Sequence, residues 1–315
     1  MPDDIRPSIP RPRPTILVTG ATGNLGRELT GRLRARGARV RSLSRRPDGA
    51  RSATETVVGD LTDPATARAA LDGVDAVFLI WPLLDATPAH GLVAELAAAA
   101  PRVVYVSSTA ITDQNARQSD PIVQVHADME ALLHGAGLRP VILRSDTLAS
   151  NARGWAAQVR AGDIVSGPDV APTAVVDERD VADAAAAALL NDDAPSGHSP
   201  FKQGPFKQGP FEQGPSGHSP YLLTGPEVLS RAEQVARLGA ALGRPLRFEA
   251  VPADAARARM LADGRPAPLV EALIAASVRR PVSDLTTDHV ERLTGRPPRS
   301  FTEWAADHAA EFAAA

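Results

Sequence analysis

Thr15-Ile-Leu-Val-Thr-Gly20-Ala-Thr-Gly23-Asn-Leu-Gly26 joins a short apolar run to three closely spaced glycines. The β-branched run from Ile16 to Thr19 is typical of a buried parallel strand. Leu25, Leu29 and Leu33 then recur at the spacing of one helix face. The stretch therefore predicts a strand, a tight turn and the start of a helix.

The three glycines have different physical roles in such a turn. Gly20 allows a sharp change of direction, Gly23 lets backbone N–H groups approach a pyrophosphate, and Gly26 lets the helix pack against the strand. The helix N-terminus adds free N–H donors and partial positive charge. The alternative is an ordinary glycine-rich turn, but the flanking elements favour a dinucleotide site. Its predicted contacts are Gly20, Thr22, Gly23, Asn24, Leu25 and Gly26.

Composition narrows the functional classes. The chain has 315 residues, a formal net charge of −3 and no cysteine, so we expect neither nucleic-acid binding nor disulfide or thiol chemistry. Residues 1–14 hold five prolines and no apolar leader, and no run of about 18 apolar residues follows. We therefore expect a disordered arm at 1–14, no membrane segment and a cytoplasmic location.

Strands alternate with helices along the first half of the chain. This pattern predicts an α/β, Rossmann-type, doubly wound parallel sheet with right-handed crossovers. After Ser145 the pattern loosens, which indicates a small C-terminal α+β substrate lobe. We therefore divide the chain into a dinucleotide-binding Rossmann domain at 15–145 and a lobe at 146–315. The predicted strands are 38–43, 55–58, 75–81, 102–106, 139–143, 174–176 and 246–251; predicted helices include 121–135, 151–161 and 180–190, and capping boxes are expected at Ser230/Glu233 and Ser300/Glu303.

A repeat interrupts the lobe at residues 196–220. Two Phe-Lys-Gln-Gly-Pro units and one Phe-Glu-Gln-Gly-Pro unit lie between two copies of Ser-Gly-His-Ser-Pro. Lys202 and Lys207, the only lysines of the chain, lie in these units. Units so rich in glycine and proline predict a flexible insertion in a surface loop, and a binding tether is the alternative.

Cofactor choice is expected after the second strand, where an acidic residue would bind the ribose hydroxyls of NAD. The sequence has Ser44-Arg45-Arg46 there instead. Guanidinium groups bind phosphate oxygens in a planar fork, so these residues favour the 2′-phosphate of NADP(H). The alternative is that Arg45 and Arg46 are solvated loop residues.

The ends of the next strands complete the predicted site, because ligands of open α/β sheets bind outside the carboxyl ends of the strands. Asp60 and Leu61 follow the third strand and are expected at the adenine, or else in a plain helix-entry loop. Ile80 and Trp81 end the fourth strand and are also expected to flank the nicotinamide, although Trp81 is as suited to the core as to a substrate wall. The fifth strand ends in Ser107, Ser108 and Thr109, which are expected near the nicotinamide.

Several of these pieces together resemble the NmrA-like atypical short-chain dehydrogenase/reductase family, including its bacterial quinone oxidoreductase-like and azoreductase-like members. The resemblance runs from Thr15 to about Phe312. It rests on residues 19–26, Arg45, 59–61, 104–109, His126 with Glu130, 143–144 and 223–227.

The resemblance implies a catalytic pattern that this sequence departs from. Typical members of the superfamily use a Tyr-x-x-x-Lys pair, in which the lysine lowers the tyrosine pKa for proton transfer. Aligning Glu130 with the family pattern puts His126 in the lysine place and Ile122 in the tyrosine place. The pair is therefore missing, and the candidate catalytic residues are His126, Thr109 and Ser108.

Two functional hypotheses remain open. In one, hydride passes from NADPH to a small unsaturated acceptor such as a quinone, an azo compound or a conjugated carbonyl compound. In the other, the chain is a non-catalytic NADP(H) sensor acting through a regulatory protein partner. A homodimer is compatible with both. No metal-binding or hydrolase motif is present, and no distinctive polar cluster after Ser145 identifies a substrate.

Overall fold

A parallel sheet forms the centre of the protein, for which a computed structural model describes residues 13–46, 53–190, 219–280 and 282–313. Within these ranges, seven strands form the main sheet and two form a small parallel sheet. In chain order the strands are β1 Thr15–Thr19, β2 Arg39–Ser44, β3 Glu55–Val58, β4 Ala76–Leu79, β5 Arg102–Ser108, β6 Val141–Ser145, β7 Ile164–Gly167, β8 Tyr221–Leu223 and β9 Arg247–Ala250.

Helices fill most of the intervals between the strands. Three short 3-10 helices lie at Thr87–Ala89, Ala149–Trp155 and Ala309–Phe312. The α-helices are α1 Asn24–Ala35, α2 Pro64–Leu71, α3 His90–Ala99, α4 Pro121–Gly135, α5 Ala156–Ala161, α6 Glu178–Leu190, α7 Arg231–Ala241, α8 Ala253–Ala262, α9 Ala267–Arg279, α10 His289–Thr294 and α11 Phe301–Asp307.

The main sheet has the strand order β3-β2-β1-β4-β5-β6-β8, and all its pairs are parallel. Its two faces carry separate apolar cores: α1, α6 and α10 contribute to one, while α2, α3 and α4 contribute to the other. The chain reverses its direction of winding at β1, so β1 and β4 flank the switch point where such sheets bind ligands. The predicted Rossmann-type fold is confirmed.

Local signals predict several elements well. The predicted strand 55–58 and helix 121–135 match β3 and α4, and both capping boxes form. The predicted strand 174–176 is wrong: Thr173 pairs antiparallel with Leu229, whereas Val176 pairs parallel with Leu148, so no continuous ladder forms. The first half of the predicted helix 151–161 is also different, because residues up to Trp155 form a 3-10 helix.

The main sheet recruits elements from beyond residue 146. Helix α6 packs on α1, and β8 pairs with β6. Helices α5, α7 and α11 build a third core around Trp304 together with the small sheet of β7 and β9, while α8 and α9 form a smaller apolar cluster of their own. Within the described ranges, no helix combines the length and apolar character needed to cross a membrane. Most of the predicted arm at 1–14 and of the repeat insertion at 196–220 lies outside the described residues.

Candidate functional site

The glycine turn connects β1 to α1 in a geometry that needs its glycines. Gly20 has a φ of +66°, which is accessible to glycine at low cost. The Gly23 N–H donates to the Gly20 carbonyl oxygen at 2.9 Å. A Cβ on Gly26 would overlap that same oxygen and lie 2.7 Å from the Cα of Ala21. The helix therefore starts in direct contact with the turn.

The start of α1 is suited to a pyrophosphate. Its N-cap is Gly23, so no side chain caps the first turn, and no acidic residue lies there. Helix α2 differs, because the Asp63 carboxylate accepts from two of its first-turn N–H groups. Thr22 and Gly23 are exposed, and Asn24 is half-buried. Leu25 points into the core, so its backbone is the part available to a ligand. This cradle fits the phosphates of a dinucleotide.

The loops after β2 and β3 lie close to each other. Arg45 and Arg46 are exposed, and the Arg46 N–H donates to Ser44 Oγ at 3.2 Å. Asp60 accepts from the Thr62 N–H at 2.9 Å and from its hydroxyl at 2.8 Å. These hydrogen bonds hold the pKa of Asp60 below its usual value, and the charge of Arg45 adds to the effect. The predicted 2′-phosphate and adenine contacts therefore face one region.

The end of β4 adjoins the glycine turn. The Ile80 N–H donates to Thr19 Oγ1 at 2.7 Å, and Ile80 Cδ1 lies 3.3 Å from the position a Gly20 Cβ would take. Leu61 is half-buried against the α2–α4 core. Trp81 is buried in that core, where its indole N–H donates to the Asp85 carbonyl at 3.0 Å. The Trp81 ring therefore supports the loop beneath the predicted site.

A buried ionic network lies under the ends of β5 and β6. Ser107 Oγ donates to Glu130 Oε1 at 2.5 Å, and Arg144 Nη2 donates to Glu130 Oε2 at 2.8 Å and to Asp113 Oδ1 at 2.6 Å. Burial lowers the pKa of Arg144, but its hydrogen bonds to these carboxylates outweigh that effect and raise it. The network holds the two strand ends together and engages the Ser107 hydroxyl.

Sequence reasoning singled out Ser107 but missed this network. Glu130 lies on α4 and Arg144 on β6, and only the sheet order shows that they meet. One signal was available in the sequence: Arg144 is a charged residue near the end of an apolar strand. A buried charge is costly unless an opposite charge pairs with it.

His126 has a phenol partner that the sequence did not reveal. Tyr105 is fully buried in β5, and its hydroxyl lies 3.0 Å from His126 Nδ1. Burial lowers the pKa of His126 and raises that of Tyr105. Both groups are consequently neutral near pH 7 and form a neutral hydrogen bond. An imidazolium at His126 therefore forms at a lower pH than it does for an exposed histidine.

Ser108 and Thr109 lie where β5 opens into a cleft. Ser108 Oγ accepts from the Ala110 N–H at 3.2 Å, and the Thr109 N–H donates to the Ser145 carbonyl at 3.2 Å. Thr109 lines a cleft of about 190 Å³. The lining of the same cleft includes Asp146 and Arg280, which pair at 2.8 Å.

Asp146 and Arg280 are cleft residues that sequence reasoning missed. They are 134 positions apart, and neither belongs to a motif. Both lie in the segment in which the sequence showed no distinctive polar cluster. Their proximity depends on α9 packing beside α4, which linear spacing does not encode.

Comparison with known proteins agrees with this geometry. A family model described as NAD(P)H-binding matches residues 20–192, from the glycine turn to just past α6. An NADPH-dependent quinone oxidoreductase from Escherichia coli, solved as a complex with NADPH, superposes with a TM-score of 0.70 at 19% identity, covering 93% of this chain and 99% of that one.

Two relatives are similar over almost their full length. A (4-alkanoyl-5-oxo-2,5-dihydrofuran-3-yl)methyl phosphate reductase from Streptomyces griseus is 38% identical, covering 95% of this chain and 99% of the relative. An NAD(P)H azoreductase from Xenophilus azovorans is 30% identical, covering 95% of this chain and 100% of the relative. The chain therefore belongs to the NAD(P)H-binding family of atypical short-chain dehydrogenases/reductases, and it is an NAD(P)H-dependent oxidoreductase.

Proposed function

We propose that the protein reduces a small conjugated carbonyl compound with NADPH. The observation that carries the proposal is the cleft at Thr109, which opens two strands from the glycine turn at the same edge of the sheet. The name of the Streptomyces griseus relative supports this acceptor class, because an acyl-substituted oxo-dihydrofuran is a conjugated carbonyl compound. Quinones and azo compounds are the other acceptors that the family supports.

The chain offers residues for each part of NADPH. The glycine turn at 20–26 would hold the pyrophosphate, and Arg45 with Arg46 would bind the 2′-phosphate. Asp60 would accept a hydrogen bond from the adenine amino group. When bound, the cofactor supplies a hydride at the carboxyl edge of the sheet.

The reaction suits a site without a Tyr-Lys pair. Hydride adds to the electron-poor carbon of the acceptor double bond and a proton from water adds to its neighbour, so the double bond becomes saturated and NADP⁺ is left. The acceptor's own carbonyl withdraws the electrons, and the hydroxyl of Thr109, which lines the cleft, would donate a hydrogen bond to it. The Glu130–Arg144 network keeps the end of β5 in place for this contact.

Steady-state oxidation of NADPH tests the proposal, followed with a phosphorylated 2,5-dihydrofuranone ketone, an uncharged quinone and an azo dye. We expect the conjugated carbonyl compound to give the highest kcat/KM. Turnover of the quinone or the dye alone would contradict the acceptor class. Tight NADPH binding without turnover of any acceptor would contradict the enzyme proposal and favour a sensor.

A further inference from the structure

Arg231 is a half-buried cation, and one of its guanidinium donors is buried and unsatisfied. It is the first residue of α7, and its guanidinium lies 5.7 Å from the centre of the Trp155 ring. Its Nε is buried and has no hydrogen-bond partner within the described residues. Burial lowers the pKa of Arg231, and the nearby charges of Arg280 and Arg265 lower it further, whereas Asp169 raises it. A buried donor of this kind is costly unless an acceptor satisfies it.

Two further arginines approach the same place from different segments. Arg265 precedes α9, and its Nη2 lies 3.6 Å from the position of a Cβ on Gly154, the neighbour of Trp155. Arg280 follows α9 and pairs with Asp146 through Nη2. We call Arg231, Arg265 and Arg280 the arginine cluster.

Acidic side chains offset only part of this charge. Asp146 pairs with Arg280 at 2.8 Å, and the exposed Asp169 acts on Arg231. Among the described residues, these two carboxylates against three guanidinium groups leave an excess of one positive charge in the arginine cluster. An added anion would remove the excess charge and satisfy the free donor of Arg231.

The arginine cluster adjoins the cleft. Arg280 lines the cleft together with Thr173. Thr173 exchanges backbone hydrogen bonds with Leu229, at 3.1 and 2.9 Å, and Leu229 lies two residues before Arg231. Thr109, at the end of β5, lines the same cleft. One small molecule could therefore contact Thr109 and the arginine cluster at once.

The cofactor phosphates belong elsewhere. In the sheet order, β6, which precedes Asp146, is three strands from β1, which precedes the glycine turn. At the usual strand spacing this is about 14 Å. The predicted 2′-phosphate site at Arg45 lies one strand further still.

We propose that the arginine cluster binds the phosphate group of a phosphomonoester acceptor, whose reducible end lies at Thr109; this inference rests on the reductase function proposed above. Guanidinium forks match the geometry of phosphate oxygens and bind them with charge-assisted hydrogen bonds. The dianion suits a site that has one excess positive charge and a free buried donor. Arg231 is the principal ligand because its Nε lacks a partner.

Equilibrium binding of phenyl phosphate to the NADP⁺-saturated protein tests the site without turnover, with phenol as the neutral control ligand. We expect phenyl phosphate to bind and phenol not to bind. Arg231→Gln should weaken phenyl phosphate binding about 10-fold to 100-fold, because it removes a charge-assisted contact. Arg231→Lys should retain part of the affinity.

Arg237→Gln is the matched control, since Arg237 lies on the same helix and pairs with Glu227. We expect its phenyl phosphate affinity to equal that of the unmodified protein. Equal affinity in Arg231→Gln, or no binding of phenyl phosphate to the unmodified protein, would overturn the site. Loss of NADP⁺ binding in Arg231→Gln would indicate that this variant does not fold. In that case the phenyl phosphate affinity of Arg265→Gln is measured instead, and an affinity equal to that of the unmodified protein would overturn the site.

The outcomes separate this inference from the proposed reaction. Phenyl phosphate binding that depends on Arg231, in a protein that reduces no acceptor, would leave the site intact and remove the reductase function. If the protein reduces acceptors but the Arg231 variant binds phenyl phosphate as well as the unmodified protein does, the reductase function stands and the phosphate site is removed. A higher KM for the phosphorylated acceptor in Arg231→Gln, compared with Arg237→Gln, is the result expected when both are correct.

Discussion

Gly26 allows the contact between α1 and the glycine turn. Gly26→Ala would place a Cβ against the Gly20 carbonyl and within 2.7 Å of Ala21 Cα. Backbone lies on both sides and cannot move away cheaply, so we expect a loss of about 2 kcal/mol in the free energy of unfolding and weaker NADPH binding. Urea denaturation and cofactor titration measure the two effects.

Gly31→Ala is the control on the same helix. A Cβ on Gly31 would meet nothing within 4 Å, so alanine should stabilise the helix by roughly 0.5–1 kcal/mol. NADPH affinity should not change. A destabilised Gly31→Ala, or a Gly26→Ala variant as stable as the unmodified protein, would refute the packing argument.

Arg45 decides between the two nicotinamide cofactors in our proposal. Arg45→Asp should weaken NADPH binding about 10-fold to 100-fold, because it removes a charge-assisted contact to the 2′-phosphate and adds repulsion. NADH binding should change far less. Arg39→Asp, at the opposite end of β2, is the matched control and should leave both affinities unaltered. Equal losses for NADPH and NADH in Arg45→Asp would argue against a 2′-phosphate contact.

Residues whose role is local could be predicted from the sequence. The turn glycines follow a strand and precede a helix, and Gly20 indeed has a positive φ. The partners of Tyr105 and Arg144 could not be predicted, because His126 and Glu130 meet them only through packing across the sheet. The orientation of a side chain between two layers depends on the sheet order, which one motif does not contain.

Helix α4 introduces a pH dependence through His126. Its pKa in the folded protein is lowered by burial, so the unfolded chain binds more protons as the pH falls below about 6.5. The stability contributed by neutral His126 is therefore complete above pH 6.5 and is lost as the pH falls toward the folded-state pKa. The slope is at most about 1.4 kcal/mol per pH unit for this one group.

His126→Gln should reduce this loss. Glutamine can accept a hydrogen bond from Tyr105 and does not titrate. The free energy of unfolding of the variant should therefore fall less between pH 7.5 and 5.5 than that of the unmodified protein. Tyr105→Phe keeps the histidine and serves as the control, with the steeper fall retained. Urea denaturation across this pH range gives the comparison, and parallel pH profiles for both variants would show that His126 is not responsible.

Elements with strong end signals were predicted closely. Asp120 and Pro121 start α4, and the serine–glutamate capping boxes start α7 and α11. The segment 174–176 was mispredicted because its apolar residues are buried for another reason. Val175 packs in the Trp304 core and Val176 in the α1–α6 core. A run of apolar residues buried on alternate sides gives the same sequence pattern as a strand. Here, however, Thr173 and Val176 pair with different segments, so no strand forms.

At the scale of the whole molecule, the cofactor site at the carboxyl edge of the sheet was easier to predict from the sequence than the substrate-binding residues. The strands of the nucleotide half are all parallel, so the carboxyl ends of β1 to β5 meet at one edge of the sheet. The arginine cluster brings together residues of α7 and of both ends of α9; Arg231 and Arg265 lie near Trp155, and Arg280 lies at Asp146. Such a cluster depends on tertiary packing, and isolated arginines in an arginine-rich chain do not reveal it.

The positions of α6 and β8 in the fold predict that the repeat can be deleted without loss of the fold. Arg102, the first residue of β5, donates to the carbonyls of Ala188 and Leu189, so α6 ends at the amino edge of the sheet. Strand β8 starts near this edge, two strands from β5 or about 10 Å away. Deleting residues 201–220 leaves ten residues between α6 and β8, which can span about 33 Å.

The deletion should therefore leave the fold and NADPH affinity unchanged. Shortening the connection from 30 to 10 residues lowers the entropy cost of closing it and should raise the free energy of unfolding by up to about 1 kcal/mol. A variant with the twenty residues scrambled keeps the length and should match the unmodified protein. If the deletion instead weakens NADPH binding or destabilises the protein while the scrambled variant does neither, the connection must have its full length. If both variants are impaired, the repeat units themselves make contacts that the fold requires.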